Sequence, residues 1–423
     1  MKTAILVGMF AAGLALGYVA FTLDGGRLVA NPIVAVRGVA PDATNDNGQS
    51  KLARATDGTL YLAYSAPVDG VEQAHISFSL DDGQTWKPEI TLGQPGIWSD
   101  LPSIATGPDG RLDVAWVDYV SVGHVWYASK QDGVWSEQVK ISPGPDYAGF
   151  PAVVVSDDTA HLVWYAAKPS EETEHGSLYQ IVHTSNTDGS WSPTEILSTS
   201  SDDALNPALT HTADGNLQAA WFQIQGDVYG AQVATFSGGD WTTPDLVSVP
   251  GVRATGVAIT ADANGVTHMV WEQSSQNSTG VAYARQVDGV WGPVEELSTG
   301  DSADPVVAVD DAGRTYVVWS QGGQITARVR DGDWSDPVTL GDGTNPTLLS
   351  GETVLAAWSR PSDAGNELVT SQVAVSETTQ APRIALGTIA VTLIVGGLVL
   401  GWQWRQLAAE TPEMESTDRT SGK

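Results

Sequence analysis

Seven copies of one pattern follow each other along the middle of this chain, and each copy is an apolar run that ends in an aromatic residue. The copies lie 39 to 57 residues apart, with their aromatic residues at Tyr64, Trp116, Trp164, Trp221, Trp271, Trp319 and Trp358. Self-similarity at a period of this length is typical of repeat architectures, in which each unit buries its apolar face against its neighbours. This repeat constrains the fold more than any single motif in the chain.

A second pattern follows each of the first six copies, and it consists of a short turn rich in Asp and Gly that leads into a tryptophan. These tryptophans are Trp86, Trp135, Trp191, Trp241, Trp291 and Trp334. Each repeat thereby holds four strand-length runs of alternating apolar and polar residues, bounded by Gly, Asp, Asn and Pro. Such a unit predicts the four-stranded blade of a β-propeller. A helical solenoid would need a period of 3.6 residues, which these runs lack.

The last repeat is incomplete, because after ELVTSQVAV the chain leaves the pattern. A spare strand, NPIVAVRG, occupies residues 31–38 ahead of the first repeat. We expect this strand to be the outermost strand of the last blade, since such closure removes open sheet edges and locks the ring. The predicted fold is all-β, a seven-bladed β-propeller within residues 24–377, with six blades as the alternative.

Both ends of the chain carry 21 consecutive uncharged residues, residues 3–23 and residues 384–404. Each is long enough to cross a hydrocarbon core of about 30 Å as a helix. We predict an N-terminal membrane anchor or signal peptide over 1–23, a linker over 378–383, a transmembrane helix over 384–404 and a short acidic tail over 405–423. The protein is expected at the cell membrane, crossing it once or twice, with its propeller on the extracytoplasmic side.

The charge balance limits the partners. The chain has 50 acidic residues against 20 Lys and Arg, and a formal net charge of −30. Such a surface repels nucleic acid and favours cations or basic partners. The chain has no cysteine, so it forms no disulfide, thiolate metal site or thiol nucleophile.

The stretch SLDDGQTW at residues 79–86 resembles the Asp-box, or BNR repeat, of the sialidase-like β-propeller superfamily. The matching positions are Ser79, Asp81, Gly83, Thr85 and Trp86. In such a turn Ser and Asp cap backbone N–H groups, Gly takes a conformation that other residues resist, and Trp packs between blades. We interpret the motif as structural, because in sialidases too it lies away from the active site.

The resemblance implies more for a sialidase: three arginines that bind a carboxylate, a Tyr–Glu nucleophile pair and an Asp acid/base. The first arginine belongs to an Arg-Ile-Pro-type motif that opens an innermost strand. Here the corresponding stretch reads Asp100-Leu101-Pro102, so an anion stands where the family has its anchoring cation. An anionic sugar acid would be repelled. The resemblance therefore covers the propeller but supplies no catalytic residue.

The loops that enter the innermost strands are expected to converge on one face of the ring, which we call the mouth. Its predicted ligand-binding residues are Trp98, Asp100, Asp146, Tyr147, Asp202, Asp203, Arg253, Asp301 and Asp304, with Asp42, Asp46 and Asp342 nearby and Arg253 as the sole cation. Carboxylates in this number suit Ca²⁺, a polyamine or a basic protein segment. The alternative is that they are ordinary turn residues of an acidic protein.

Three functions remain open. The first is a non-catalytic binding or scaffold module that takes a protein partner or a glycan, in a sharper version as an accessory subunit of a membrane complex. The second is a glycoside hydrolase of sialidase-like type, and the third is a propeller lectin. An enzyme should place arginines or a close pair of carboxylates at the mouth, whereas a lectin should repeat its polar pocket residues from blade to blade.

Overall fold

The structure, a computed structural model, describes residues 27–170, 176–187, 189–198, 202–275 and 278–376. These residues form 34 β-strands and no helix. The predicted terminal segments 1–23 and 384–404, the linker over 378–383 and the acidic tail lie outside the described residues. Among the residues described, no helix is long and apolar enough to span a bilayer.

The strands are short and follow one another through tight turns. In chain order they are β1 (Arg27–Ala30), β2 (Ile33–Val39), β3 (Leu52–Arg54), β4 (Leu60–Val68), β5 (Val71–Ser79), β6 (Lys87–Thr91), β7 (Trp98–Thr106), β8 (Leu112–Tyr119), β9 (Gly123–Gln131), β10 (Val134–Trp135), β11 (Val139–Lys140), β12 (Ala148–Ser156), β13 (Thr159–Pro169), β14 (Ser177–Thr187), β15 (Ser190–Trp191), β16 (Glu195–Ile196), β17 (Ala204–His211), β18 (Leu217–Gln225), β19 (Val228–Ser237), β20 (Asp240–Trp241), β21 (Asp245–Leu246), β22 (Arg253–Ala261), β23 (Thr267–Ser275), β24 (Ser278–Val287), β25 (Val290–Trp291), β26 (Glu295–Glu296), β27 (Ser302–Val309), β28 (Thr315–Gln321), β29 (Gln324–Asp331), β30 (Asp333–Trp334), β31 (Val338–Asp342), β32 (Thr344–Leu349), β33 (Val354–Ser362) and β34 (Gly365–Ser376).

These strands form seven antiparallel sheets, which are the seven predicted blades. In blade 1 the order is β3-β4-β5-β6. Blades 2 to 6 repeat it with the outermost strand broken into two short pieces, as in β7-β8-β9 with β10 and β11 both on β9. The innermost strands are β3, β7, β12, β17, β22, β27 and β32. The structure confirms seven blades, so the six-bladed alternative is wrong.

The N-terminal strands close the ring. In blade 7, both β1 and β2 pair with β34, outside β33 and β32. The register of β2 places Ile33 opposite Thr370 and Arg37 opposite Glu367. Glu367 is buried and also accepts hydrogen bonds from Arg360. The prediction that residues 31–38 complete the last blade is therefore confirmed.

The repeated aromatic residue on the second strand of each blade fills the space between that blade and the preceding one. Trp116, for example, packs against Ala53, Ala63 and Ile76 of blade 1. The tryptophans of blades 2 to 7 are all at most 1% exposed. Truncating one such tryptophan to alanine would cost about 3–5 kcal/mol of stability.

The turn at residues 79–86 has the hydrogen bonds that a structural turn requires. Ser79 Oγ accepts from the Gly83 amide at 2.9 Å, and Asp81 accepts from both the amide and the hydroxyl of Thr85 at 2.8 and 2.7 Å. Gly83 has a φ of +82°, a left-handed conformation that favours glycine. Trp86 Nε1 donates to a threonine hydroxyl of blade 7 at 3.2 Å, so the turn also ties the first blade to the last.

Candidate functional site

A β-bulge opens the innermost strand of each blade from 2 to 7. At each bulge one residue has a positive φ, and these residues are Leu101, Phe150, Asn206, Gly256, Asp304 and Asn345. Five of the six precede proline, which normally holds its predecessor in an extended conformation. A strained geometry that recurs in six blades needs support from its surroundings, and it turns carbonyl oxygens out of the sheet ladder.

Residues 44–51, which we call the plug, bind these freed carbonyl oxygens from inside the ring. Gln49 Nε2 donates to the carbonyl oxygens of Leu101 in blade 2, at 3.1 Å, and Pro151 in blade 3, at 2.6 Å. Asn47 Nδ2 donates to one carbonyl in blade 5 and one in blade 6, each at 2.7 Å. Thr44 Oγ1 donates to a carbonyl of blade 7 at 2.6 Å. One short segment is thus hydrogen-bonded to five other blades.

The plug closes the central opening of the ring at the mouth, so that the mouth is a depression with the plug as its floor. Beneath it lies a cavity of about 430 Å³, lined by all seven innermost strands and roofed by residues 47–50. The lining is mostly alanine, valine, leucine and isoleucine. A ligand at the mouth therefore contacts the plug and the loops around it. The plug separates the cavity beneath from the mouth.

The plug holds two buried groups of opposite charge, Lys51 and Asp46, that attract each other. Lys51 is 0% exposed, and its Nζ donates to Gln49 Oε1 at 2.5 Å and to the Pro102 carbonyl oxygen at 2.7 Å. Burial lowers the pKa of Lys51 to about 8, although Asp46 and Asp100 oppose that shift. Burial likewise raises the pKa of Asp46 to about 6 against the attraction of Lys51. Asp46 is 7% exposed, and its Oδ2 has no hydrogen-bond partner among the described residues.

A second acidic group, the pair Glu272 and Asp304, joins blades 5 and 6. The backbone N–H of Asp304 donates to Glu272 Oε1 at 2.9 Å. Burial, and then the negative charge of Glu272, raises the pKa of Asp304 to about 6. Asp304 also raises the pKa of Asp46, so the acidic groups continue across the plug.

A third acidic group lies over blades 1 and 2. Asp100 Oδ1 accepts hydrogen bonds from Ser65 Oγ and from the Leu101 amide, the latter at 2.6 Å. Glu72 stands at the start of β5. Burial, followed by the charges of Asp100 and Asp42, raises the pKa of Glu72 to about 7.

Four aromatic side chains extend from this acidic group across blades 2 and 3, and we call them the aromatic row. Trp98 is 48% exposed and stacks on Tyr119, with ring centroids 4.7 Å apart. Tyr147 follows at 6.5 Å from Tyr119, and Tyr165 lies 5.6 Å beyond Tyr147. Burial, then Tyr147 and the charge of Asp100, raise the pKa of Tyr119, which therefore stays neutral beside the carboxyl groups. The row presents flat apolar faces next to hydrogen-bonding acids.

The structure brings some of the predicted site residues together and separates the others. Trp98, Asp100 and Tyr147 lie in one continuous surface, and Asp304 belongs to the acidic groups around the plug. The remainder occupy other parts of the rim. Asp203 accepts from the Tyr179 amide, Arg253 lies 5.3 Å from the ring centroid of Tyr229, and the side chains of Asp146, Asp202 and Asp301 are exposed.

Sequence reasoning missed Lys51, Glu72, Glu272, Tyr119 and Tyr165. Arg253 is not the sole cation of the mouth, because Lys51 lies at its centre. The missed residues lie on the second and third strands or directly after a loop, whereas the prediction considered only the loops that enter innermost strands. In an antiparallel blade the second strand ends, and the third begins, at that same face. That rule would have pointed to Tyr119 and Glu72.

Metal binding has no ready-made site in the described part of the chain. No group of three or more His, Asp or Glu side chains there is arranged to hold a metal ion. Whether the acidic mouth takes up Ca²⁺ stays a prediction.

Comparison with known proteins extends the fold assignment. No family model matches the chain, and no curated protein matches it in sequence. Among solved structures, an ulvan lyase bound to an oligosaccharide matches with a TM-score of 0.56 and 12% identity, over 85% of this chain and 99% of that one. A protein of unknown function from Dyadobacter fermentans matches with a TM-score of 0.50 and 15% identity, over 67% and 96%. A puromycin-hydrolysing peptidase from Mycobacterium tuberculosis gives 0.52 and 14%, over 81% of this chain and 55% of that one. At these identities the similarity establishes the propeller fold alone.

Proposed function

We propose that this propeller is a glycan-binding module whose ligand lies on the aromatic row at the mouth. The observation that carries the proposal is Trp98, a half-exposed indole stacked on Tyr119, with Asp100 two residues further along β7. Aromatic rings provide large, rigid contact area against the apolar faces of sugar rings, and a few placed polar groups then fix orientation through hydroxyl hydrogen bonds. A binding site built this way needs no catalytic group.

A further observation supports a binding role at this face. The plug and its hydrogen bonds to five blades make the floor of the mouth rigid, and a preorganised surface loses less entropy on binding. The ulvan lyase that shares the fold was solved with a bound oligosaccharide, but the low identity means that the proposal rests on the aromatic row.

The test is a glycan array followed by calorimetric titration of the best ligand against wild type and Trp98→Ala. We expect at least a tenfold loss of affinity in Trp98→Ala, since it removes the stacking surface. Leu80→Ala is the matched control, because Leu80 is 71% exposed but lies in the turn at residues 79–86, away from the mouth. Equal affinities for wild type and Trp98→Ala would refute the proposal.

Cleavage of a glycosidic bond is a second candidate function, favoured by one specific observation. Burial and the charge of Asp100 raise the pKa of Glu72 to about 7, and Asp100 itself accepts a hydrogen bond from Ser65 Oγ. A protonated carboxyl group and an ionised one are the pair that glycosidases use. Hydrolysis of a bound glycan by wild type but not by Glu72→Gln would support this function. A full set of array ligands left intact would exclude it.

For the cellular setting we keep the proposal of membrane attachment, with the propeller on the extracytoplasmic side and a role as an accessory subunit of a membrane complex. Its support is the two uncharged 21-residue segments of the sequence. Purification from native membranes in mild detergent should recover a stable partner. Recovery in the soluble fraction, or only as a free monomer, would contradict this part of the proposal.

A further inference from the structure

Two buried histidines face each other at the seam between blades 3 and 4. His161 on β13 is 8% exposed, and His183 on β14 is 3% exposed. Their rings are nearly parallel with centroids 5.4 Å apart, and His161 Nδ1 lies 3.1 Å from His183 Nε2 in a hydrogen bond. Neither side chain belongs to the aromatic row, so their pairing needs an explanation of its own.

Blade 4 closes over this pair with two aromatic side chains. The ring centroid of Phe236 lies 6.1 Å from that of His161 and 5.9 Å from that of His183. Trp241 stands edge-on to His183 at 5.2 Å, and its Nε1 donates to Glu195 Oε1 of blade 3 at 3.1 Å. The state of the two histidines therefore bears directly on how blade 4 packs against blade 3.

The hydrogen bonds limit the number of protons that the pair can hold. Ionised Glu195 only accepts, so its 2.7 Å hydrogen bond with His183 Nδ1 places a proton on that nitrogen. His183 Nε2 is then the acceptor for the N–H at His161 Nδ1. If both rings were cations, each would point an N–H at the other across 3.1 Å, and the hydrogen bond would be lost. The closed seam has no place for two charged histidines.

The electrostatic surroundings act in the same direction. Burial, and then His183, lowers the pKa of His161 to about 4. Burial also lowers the pKa of His183, and among the described residues Glu195 is the only charged group that opposes this shift. Histidines with a lowered pKa in the closed state stabilise that state fully above about pH 6.5. This stabilisation is lost progressively as the pH falls towards about 4.

We infer that the seam between blades 3 and 4 is an acid-sensitive joint, which opens when both histidines become protonated. The aromatic side chains of blade 4 then part from blade 3. The apolar cluster of this seam also contains Tyr147 and Tyr165 of the aromatic row. Opening of the joint therefore loosens the mouth, whatever ligand the mouth binds.

Hydrogen exchange of the full chain, followed by mass spectrometry at pH 7.5 and pH 5.5, tests the joint. Exchange rates are divided by the intrinsic chemical rate at each pH to give opening constants. A pKa of about 4 for His161 in the closed seam, against about 6.5 in the open one, predicts an opening constant about tenfold larger at pH 5.5. Peptides from β14 and β19 should show this increase. Peptides from β33 of blade 7, a strand without histidine, should not.

His161→Gln removes one of the titrating rings and keeps a side chain that forms hydrogen bonds. Gln218 stands at the same place in blade 4, three residues before the buried tryptophan. The substitution should reduce the acid-induced increase to below about threefold. His211→Gln, at an exposed histidine of β17, is the matched control and should keep the full increase.

Glu195→Gln gives a second readout of opposite sign. It removes the charge that favours a cation on His183, so the increase at pH 5.5 should exceed that of the wild type. The same increase in wild type, His161→Gln and Glu195→Gln would overturn the inference. So would an equal increase in β33, because acid would then open the whole ring and not the seam. If His161→Gln does not fold, the comparison of Glu195→Gln with wild type decides.

Discussion

Replacing Gln49 with alanine should loosen the whole ring, although the substitution removes one side chain from one segment. Gln49 is 2% exposed, and its amide nitrogen serves carbonyl oxygens in blades 2 and 3 while its Oε1 accepts from Lys51. The substitution leaves two buried carbonyl oxygens without a donor and the lysine without one of its acceptors. The methyl group of alanine offers neither a donor nor an acceptor in exchange.

The expected magnitude follows from counting these groups. A buried polar group left unsatisfied costs about 1–3 kcal/mol, so three of them amount to about 3–6 kcal/mol after partial relaxation. This is a large part of the 5–15 kcal/mol that ordinarily stabilises a domain. Urea unfolding followed by tryptophan fluorescence reports the loss. At a slope of about 3 kcal/mol per molar urea, the midpoint should fall by about 1–2 M.

The matched control is Gln324→Ala. Gln324 is exposed at the start of β29, and its side chain donates a long hydrogen bond to Asp342 Oδ1, at 3.4 Å. Its replacement should change stability by less than about 0.5 kcal/mol. If Gln49→Ala shifts the midpoint no more than this control does, the plug does not hold the blades together and the reasoning is wrong.

Three further predictions concern charge, closure and the turn at residues 79–86. Asp304→Asn should stabilise the protein at pH 7.5 by about 1–3 kcal/mol and have no effect below about pH 4. The raised pKa of Asp304 means that the stability of the wild type falls as pH rises from about 4 to 6. Urea midpoints of both proteins across that pH range measure the difference, and a difference that does not depend on pH would contradict the prediction. Deleting residues 27–39 should expose the edge of β34 and give aggregates on size exclusion, whereas a monomer with unchanged melting would show that ring closure is dispensable. Asp81→Ala should lower the thermal midpoint, since Asp81 accepts from the amide and hydroxyl of Thr85, and should leave glycan affinity unchanged; an affinity change would place the turn in the binding site.

The fold could be predicted from the sequence because its determinants are local and repeated. The alternating runs specify strands, and the tryptophan on each second strand specifies where blades pack. The last repeat lacks an outer strand and residues 31–38 form a spare one, so the sequence predicts that the two pair. The pairing of Arg37 with Glu367 confirms this prediction. Seven repetitions of the same signal leave little room for another architecture.

The candidate site could be predicted only in part, because it is assembled by contacts that no single repeat contains. Trp98 and Asp100 lie at the start of β7, which the repeat pattern marks, and Tyr119 lies opposite Trp98 on β8 of the same blade. Glu72 comes from blade 1, and only the packing of blade 1 on blade 2 brings it near Asp100. The plug is harder still to foresee. Its partners are backbone carbonyl oxygens freed by bulges, and Gln49 gives no sign in the sequence that it will reach them.

The most direct test of the central claim is to observe Trp98 while the ligand binds. Fluorotryptophan labelling gives each tryptophan its own ¹⁹F resonance, and the signal absent from Trp98→Phe identifies Trp98. Titration with the best array glycan should shift that resonance in a saturable way, and the resonances of fully buried residues such as Trp221 and Trp271 should stay in place. If the glycan binds while the Trp98 resonance does not move, the ligand lies elsewhere and the mouth is not its site.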